Sequence, residues 1–568
     1  MMHKSTSPGA LGNHAEAADT TIPSAGVQSV YFPEKSWRDR FIVLGIFTVI
    51  CVYSRLSYDC TNLDPDEGII LQGAQRILNG EVLYRDFFSY YTPGSYYWMA
   101  FLFRVFGDSI LVARAAMIAY AAIFAVLTYL LARRVCSRGT ALLTVFLLTV
   151  TCAPSVALHN WDSTLWALLA LYSAVRFIEG PSCAWAFSVG SLTAIGCLFE
   201  QSRGGGLAVG LVLGFTILGL NGIFKPWADR RRLIFLALGL AWPFFLTLAY
   251  FGAHHSLSYM VADLSWPLRH YRALYRRPYG YLDQNWIDLL DGSFGWRAFC
   301  LVVISPYFLI SSLPIFALCV LAWFTVQLWR QRTASGLCRY YVLVSAALAG
   351  LLLEISATGR GNVVDIDFQA PLFFLVLAWM LESARTPFLR RARAVAVLYM
   401  LVSFSALGLV PLFSSLNARY KLETRRGTLR VSAPYDAFSY IQDRVPAREK
   451  ILVYPYQPLY YYLTGTFNVS RYDWVTPGYD PAQLQSIIAD LEAARPRFVL
   501  FDIYSREVLT SVYPSMPIRV AAARDTVFDY LISRYHPCRS LVANSFMVFM
   551  VRNDLSCALK GNRPAGRR

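Results

Sequence analysis

Three carboxylates fall within four positions at Asp64, Asp66 and Glu67 in "LDPDEG", and a fourth, Asp86, follows in "YRDF" ahead of the turn "SYYTPGSYYW". Ionised carboxylates take up protons, and acidic elements beside aromatic faces can bind a polyol and deprotonate one of its hydroxyls. The tyrosines that would border such a pocket include Tyr84 and Tyr91. A plainer use competes with this one. Acidic groups favour helix N-termini, and a helical pattern starts at Gly68, so Asp64 to Glu67 can equally cap and charge-complement that helix. The four carboxylates could also hold a divalent cation, although no ligand spacing demands one.

The elements that position these groups belong to a membrane protein. Of 568 residues, 56% are hydrophobic and 15% charged, with a mean hydropathy of +0.41, which is too apolar for a soluble chain of this length. The net charge of +16 does not signal nucleic acid, because the arginines mostly sit in short loops between apolar runs. A spanning helix needs about 20 apolar residues. Eleven runs qualify: 41–58, 110–132, 140–158, 162–176, 183–199, 204–224, 233–253, 298–329, 340–357, 368–384 and 394–416. Tyr96–Phe106 is shorter and reads as interfacial or re-entrant.

Every second loop is basic. Arg38 and Arg40, then Arg133, Arg134 and Arg138, Arg176, Lys225 and Arg230 to Arg232, Arg330, Arg332 and Arg339, and Arg385, Arg390, Arg391 and Arg393 mark the cytoplasmic side. The first outer loop, 59–109, then carries the acidic motif outward, as do 254–297, the short turns and everything after Asn417.

The expected architecture is a polytopic α-helical membrane protein of about 11 transmembrane helices. Residues 1–36 form a disordered cytoplasmic segment, 37–416 the transmembrane domain, and 417–568 an extracytoplasmic α/β domain. The last of these rests on strand-like runs ("KILVYPY", "RFVLFD", "SFMVFMV") alternating with helical patterns such as "AQLQSIIADLEAA". The first apolar run, without an evident cleavage site, reads as a retained anchor. Cys538 and Cys557 flank the last strand and can pair in an oxidising exterior. No C-x-x-C spacing supports zinc or thioredoxin-like chemistry.

Outer loops hold most of the remaining polar candidates. Arg269, Arg272 and Arg276 in "WPLRHYRALYRRPYGY" lie at helical spacing, either as a basic amphipathic helix on headgroups or as a grip on a lipid phosphate. Arg203 and Glu200 share the junction "FEQSRGGG", and Arg360 a similar turn with Glu354 nearer the bilayer; each pairing can be structural or part of the pocket. His159 in "LHNWDS" can line the same cavity, more plausibly as a hydrogen-bonded residue than as a metal ligand. The tyrosines of "VYPYQPLYYYLTG" suit packing first and acceptor recognition second.

The order of acidic pair, helix and "NGEVLYRDFFSYYTPGSYYWMAFLFRVFGDSILVARAAM" resembles the first outer loop and second span of the GT-C superfamily of polytopic glycosyltransferases. It is similar to bacterial protein O-mannosyltransferase-like enzymes and, more loosely, to lipid A aminoarabinose transferases, most specifically over Asp64–Arg138. The resemblance implies transfer of a sugar from a polyprenyl-phosphate donor to a glycan, lipid or protein acceptor on the outer face. It implies Asp66 as general base with Glu67 in support, Asp86 in a less defined role, and an arginine stabilising the departing phosphate. The expected location is a bacterial inner membrane, with the bilayer and no nucleic acid as partners. Two other classes compete: a flippase or transporter of lipid-linked sugars, which would show internal repeats that are not evident here, and an inactive envelope scaffold.

Overall fold

The computed structural model describes residues 33–60, 63–151, 154–225, 228–274, 279–280, 291–331, 336–358, 361–383, 386–475, 480–502, 525–541 and 547–558. Most of the N-terminal segment expected to be disordered therefore lies outside the described residues. The chain folds as a succession of helices: α1 (Trp37–Arg55), α2 (Pro65–Leu78), α3 (Gly94–Phe106), α4 (Ile110–Ala132), α5 (Arg138–Thr151), α6 (His159–Glu179), α7 (Cys183–Phe199), α8 (Gln201–Leu220) and α9 (Arg230–Ala253). There follow α10 (Leu257–Leu274), α11 (Phe294–Gln331), α12 (Gly336–Thr358), α13 (Val363–Asp367), α14 (Ala370–Glu382), α15 (Pro387–Gly408) and α16 (Val410–Asn417).

Among the described residues five stretches are long and apolar enough to cross a membrane: α4, α8, α9, α11 and α15 running into α16. Shorter apolar helices, including α5, α7 and α14, stand beside them. The chain is an integral membrane protein. The short run at Tyr96–Phe106 is α3, a helix of 13 residues and too short to span. Where α7 crosses α9, Gly190 and Gly239 let the backbones touch; a Cβ on Gly239 would strike the carbonyl of Phe187, and one on Gly190 that of Leu236.

At the loop-poor end of the bundle the arginines do more than mark a side. Asp39, fully buried in the first turn of α1, takes the guanidinium groups of Arg133 at 3.3 Å and Arg138 at 3.4 Å, and the hydroxyl of Tyr129. Arg134 bridges Glu34 and Glu179 at 2.6 Å each. Charges withdrawn from water need such complete partnering to be tolerated.

Beyond α16 the chain changes character. A hairpin of β1 (Tyr420–Thr424) and β2 (Gly427–Val431) leads through α17 (Ala437–Arg444) to β3 (Lys450–Tyr454), α18 (Leu459–Thr464), β4 (Phe467–Asn468), α19 (Pro481–Ala494), β5 (Phe498–Asp502), α20 (Thr526–Arg534), β6 (Tyr535–Leu541) and β7 (Met547–Arg552). The five-stranded sheet has the order β4-β3-β5-β7-β6, with β3 parallel to both neighbours and β5, β7 and β6 antiparallel. Central β5 is buried along its whole length. One sheet face is closed by Leu484, Ile487 and Leu491 of α19 and Val527 and Leu531 of α20 against Leu452, Val499 and Phe501.

Cys538 of β6 is bonded to Cys557, with Cα atoms 5.5 Å apart across a separation of 19 residues. Closing a loop of that length should contribute about 3 kcal/mol by restricting the unfolded chain. Cys538→Ser is expected to lower the denaturation midpoint of this region accordingly, read in the full-length protein by thermal shift with and without reductant. An unchanged midpoint would refute that contribution.

Candidate active site

The N-terminus of α2 is built by its own first residues. Asp64 is the N-cap, its carboxylate accepting the backbone N–H of Asp66 at 2.8 Å, and Pro65 supplies the fixed φ of the first turn. Capping is thus one real use of the acidic motif, and it falls to Asp64. Burial, and then the charge of Asp66, push the Asp64 carboxyl up to about 7.

Glu67 and Asp66 have parted ways. Glu67 is wholly buried and clamped by Arg114 of α4, through Nη2 at 2.8 Å and Nε at 3.2 Å, with the backbone N–H of Ala157 at 3.2 Å. Asp66, one position earlier, is exposed and accepts a hydrogen bond from the Tyr456 hydroxyl. Asp86 folds back on its own turn, accepting from the N–H of Val82 at 2.7 Å and from Arg85 at 2.8 and 2.9 Å, and Arg85 holds its carboxyl below the usual range. The four acids thus do not converge on one cation; Asp64 and Asp66 are the pair that remains together. Among the described residues, the cluster with ligating atoms in mutual reach is His536, Cys538 and Cys557, whose sulfurs are already in the disulfide.

A cavity of about 440 Å³ opens beside Asp64 between the ends of α1, α4, α5, α15 and α16. Ser54, Ser57, Tyr58, Ser155 and Arg114 give it a polar wall, and Ile118, Val150 and Leu407 an apolar one. Arg55, exposed at the end of α1, lies 3.8 Å over the ring of Tyr58. That combination suits a charged headgroup with an apolar tail.

On the other side of α2, an aromatic mesh joins the first loop, α10 and the α/β domain. Tyr90 stacks on Trp266 at 5.4 Å and meets Trp474 edge-on at 5.1 Å, while Tyr91 lies 4.1 Å from the ring of His159. Tyr84 is fully buried against Phe251 and donates to the carbonyl of Tyr91 at 2.9 Å, which fixes the loop. Arg76 pins the same junction, bonding Glu81 at 2.7 Å, Asp473 at 2.9 Å and the carbonyls of Ser470 and Asp86 at 3.1 Å.

Asp263 of α10 completes it. Buried, it accepts from Arg471 at 3.3 Å and from the N–H of Ser89 at 3.4 Å. Burial, opposed by Arg471, pushes its carboxyl up to about 7. A folded-state value above the unfolded one means stability that is full below about pH 4 and drains away as pH rises through 7. Asp263→Asn is expected to flatten that part of the profile, so the fall in melting temperature between pH 5 and pH 8 should shrink. An identical slope in the variant would defeat the assignment.

The arginines singled out for a phosphate are distributed otherwise. Arg203 is buried, bonding the carbonyl of Asn160 at 3.1 Å and Ser163 at 3.2 Å, and pairing with Glu200 at 3.3 Å. Ser163 in turn donates to Glu200 at 2.8 Å, so this trio ties α6 to α8. Arg269 is exposed and turns back on Ala262 and Ser265 of its own helix. Arg276 and Arg360, and the side chains of Arg272 and Glu354, lie outside the described residues. Sequence reasoning missed Arg114, although a lone cation inside "ILVARAAM" is the kind of costly group that signals a buried partner. It also missed Arg55, Asp263 and Trp474, which no local pattern distinguishes.

Fold and site together define a polytopic membrane protein with an α/β domain seated over one end of its helices. Residues 91–251 match the family described as dolichyl-phosphate-mannose-protein mannosyltransferase, which bears out the likeness to GT-C glycosyltransferases; the match begins after the carboxylate motif. No curated protein matches the chain. Among solved structures, the Archaeoglobus fulgidus oligosaccharyltransferase tethered with an acceptor peptide is 11% identical, covering 89% of this chain and 73% of its own, at a TM-score of 0.48. Its apo form gives 10% identity, 86% and 73% coverage and 0.49. ArnT from Cupriavidus metallidurans bound to undecaprenyl phosphate is 13% identical, with 92% and 99% coverage and 0.43. Identities and scores this low leave these as likenesses of outline.

Proposed function

We propose that this protein is an inverting glycosyltransferase that moves a sugar from a polyprenyl-phosphate donor to an acceptor hydroxyl. Its active site would face the extracytoplasmic side of a bacterial inner membrane. The observation that carries the reading is an exposed, hydrogen-bonded Asp66 two positions after Asp64, which with Arg114 lines a cavity of about 440 Å³. The family match over 91–251 supports the same class. The division into a transmembrane part, 37–416, and an outer part, 417–568, belongs to this proposal, as do the eleven spans.

Asp66 takes the proton of the acceptor hydroxyl as its oxygen attacks the anomeric carbon from the face opposite the phosphate. The anomeric C–O bond breaks, and the polyprenyl phosphate leaves with the electron pair. Arg55, which lies over the ring of the cavity-lining Tyr58, would meet that charge. Arg269, and Arg272, Arg276 and Arg360 from the sequence, would draw the donor's headgroup to the same face. A divalent cation held by Asp64 and Asp66 would screen the phosphate.

The test is to incubate the purified full-length protein in vesicles with labelled polyprenyl-phosphate sugars and envelope acceptors. Label on the acceptor supports the proposal. Label that crosses the bilayer still attached to its lipid would point to a flippase, and no movement of label to a scaffold.

A further inference from the structure

We infer that Tyr456, contributed by the α/β domain, is a positioning residue for Asp66, so that this domain completes the transferase site. The inference rests on the function proposed above and adds a residue that the membrane-embedded part does not supply.

The tyrosines around it show what a purely structural role looks like. Tyr454 donates to Asp525 at 2.7 Å, Tyr460 bonds Tyr435 at 2.8 Å, the hydroxyl of Tyr461 takes the N–H of Val453 at 2.6 Å, and Tyr462 donates to the carbonyl of Asp108 at 2.8 Å. All four are buried. Tyr456 is half-buried, and its hydroxyl leaves its own domain to meet an exposed carboxylate 390 residues away in sequence. Water competes for a bond at such a surface, so it adds little to stability. A phenol donating to a carboxylate does, however, orient it and favour its ionised form.

The placement is held from both sides. Gly68, two positions after Asp66, lies so close to the backbone of Leu459, three positions after Tyr456, that any Cβ there would collide with it. Trp474 meets the Tyr456 ring edge-on at 5.9 Å, and Arg76 locks α2 to Asp473 beside it. The phenol and the carboxylate are thus fixed by two packed backbones rather than by flexible side chains. The ionisable groups near Asp66 include, among the described residues, Asp64 and Glu67 of the same motif, Arg114 of α4 neutralising Glu67, and Tyr456 itself.

Tyr456→Phe keeps the ring against Trp474 and deletes the hydroxyl. In the full-length protein, kcat is expected to fall about tenfold or more, within the range of a partly disabled base, with the KM for the donor little changed. The acidic limb of the pH profile should move to higher pH. A second measurement needs no activity: carbodiimide labelling of Asp66 against pH, read by peptide mass spectrometry, should move its midpoint upward in the variant. Transfer by both proteins with kcat and midpoint unmoved overturns the inference alone. A shifted midpoint in a protein whose wild type transfers nothing upholds the Tyr456–Asp66 coupling and overturns the transferase reading instead.

Discussion

Asp66→Asn should leave the protein folded and remove sugar transfer, lowering kcat by about 10²–10⁴-fold, the usual worth of a general base. The expectation follows from where the side chain sits. Asp66 is exposed and accepts from the Tyr456 hydroxyl, a bond that the amide oxygen of an asparagine of the same shape can also accept, so the substitution costs the fold little. Its N–H still bonds Asp64, which remains the N-cap. What asparagine cannot do is accept a proton at neutral pH. The measurement is single-turnover transfer beside a melting curve, and a variant that melts normally yet transfers at the wild-type rate would end the assignment of Asp66 as base.

Arg114→Met is expected to do the reverse, costing stability outright. Both Arg114 and Glu67 have fully buried side chains, and they pair with one another at 2.8 Å. Methionine leaves the Glu67 carboxylate with the N–H of Ala157 alone. Removing one member of such a pair typically costs about 3–5 kcal/mol, because the remaining charge is stranded away from water. Replacing both, as Glu67→Leu with Arg114→Met, should recover most of that loss, since apolar groups of similar volume carry no desolvation penalty. Denaturation midpoints of the two singles and the double form a cycle that decides it. If Arg114→Met melts like the wild type while losing transfer, the pair is catalytic rather than structural.

These opposite expectations for neighbours in one motif show where local reading stops. "LDPDEG" announced a helix start and a cluster of acids, and Asp64 does cap α2. That Glu67 faces inward and Asp66 outward follows only from which side of α2 meets α4. The tyrosines of "VYPYQPLYYYLTG" were expected to pack, and four of them do, but Tyr456 crosses to Asp66. Nothing in the spacing marked it.

By itself, the sequence determined what depends on neighbours along the chain. Apolar runs of about 20 residues must become helices in a bilayer because every backbone group has to be satisfied within the segment. Each of the eleven runs overlaps a helix, although the run 140–158 is helical only to Thr151, and the alternation after Asn417 is an α/β sheet. The tertiary structure alone decided the partners: Arg114 for Glu67, Arg471 for Asp263, Tyr456 for Asp66, and Asn160 and Ser163 of α6 for Arg203. Such pairs join residues tens to hundreds of positions apart, and their geometry is set by how whole helices pack, which no periodicity along the chain encodes.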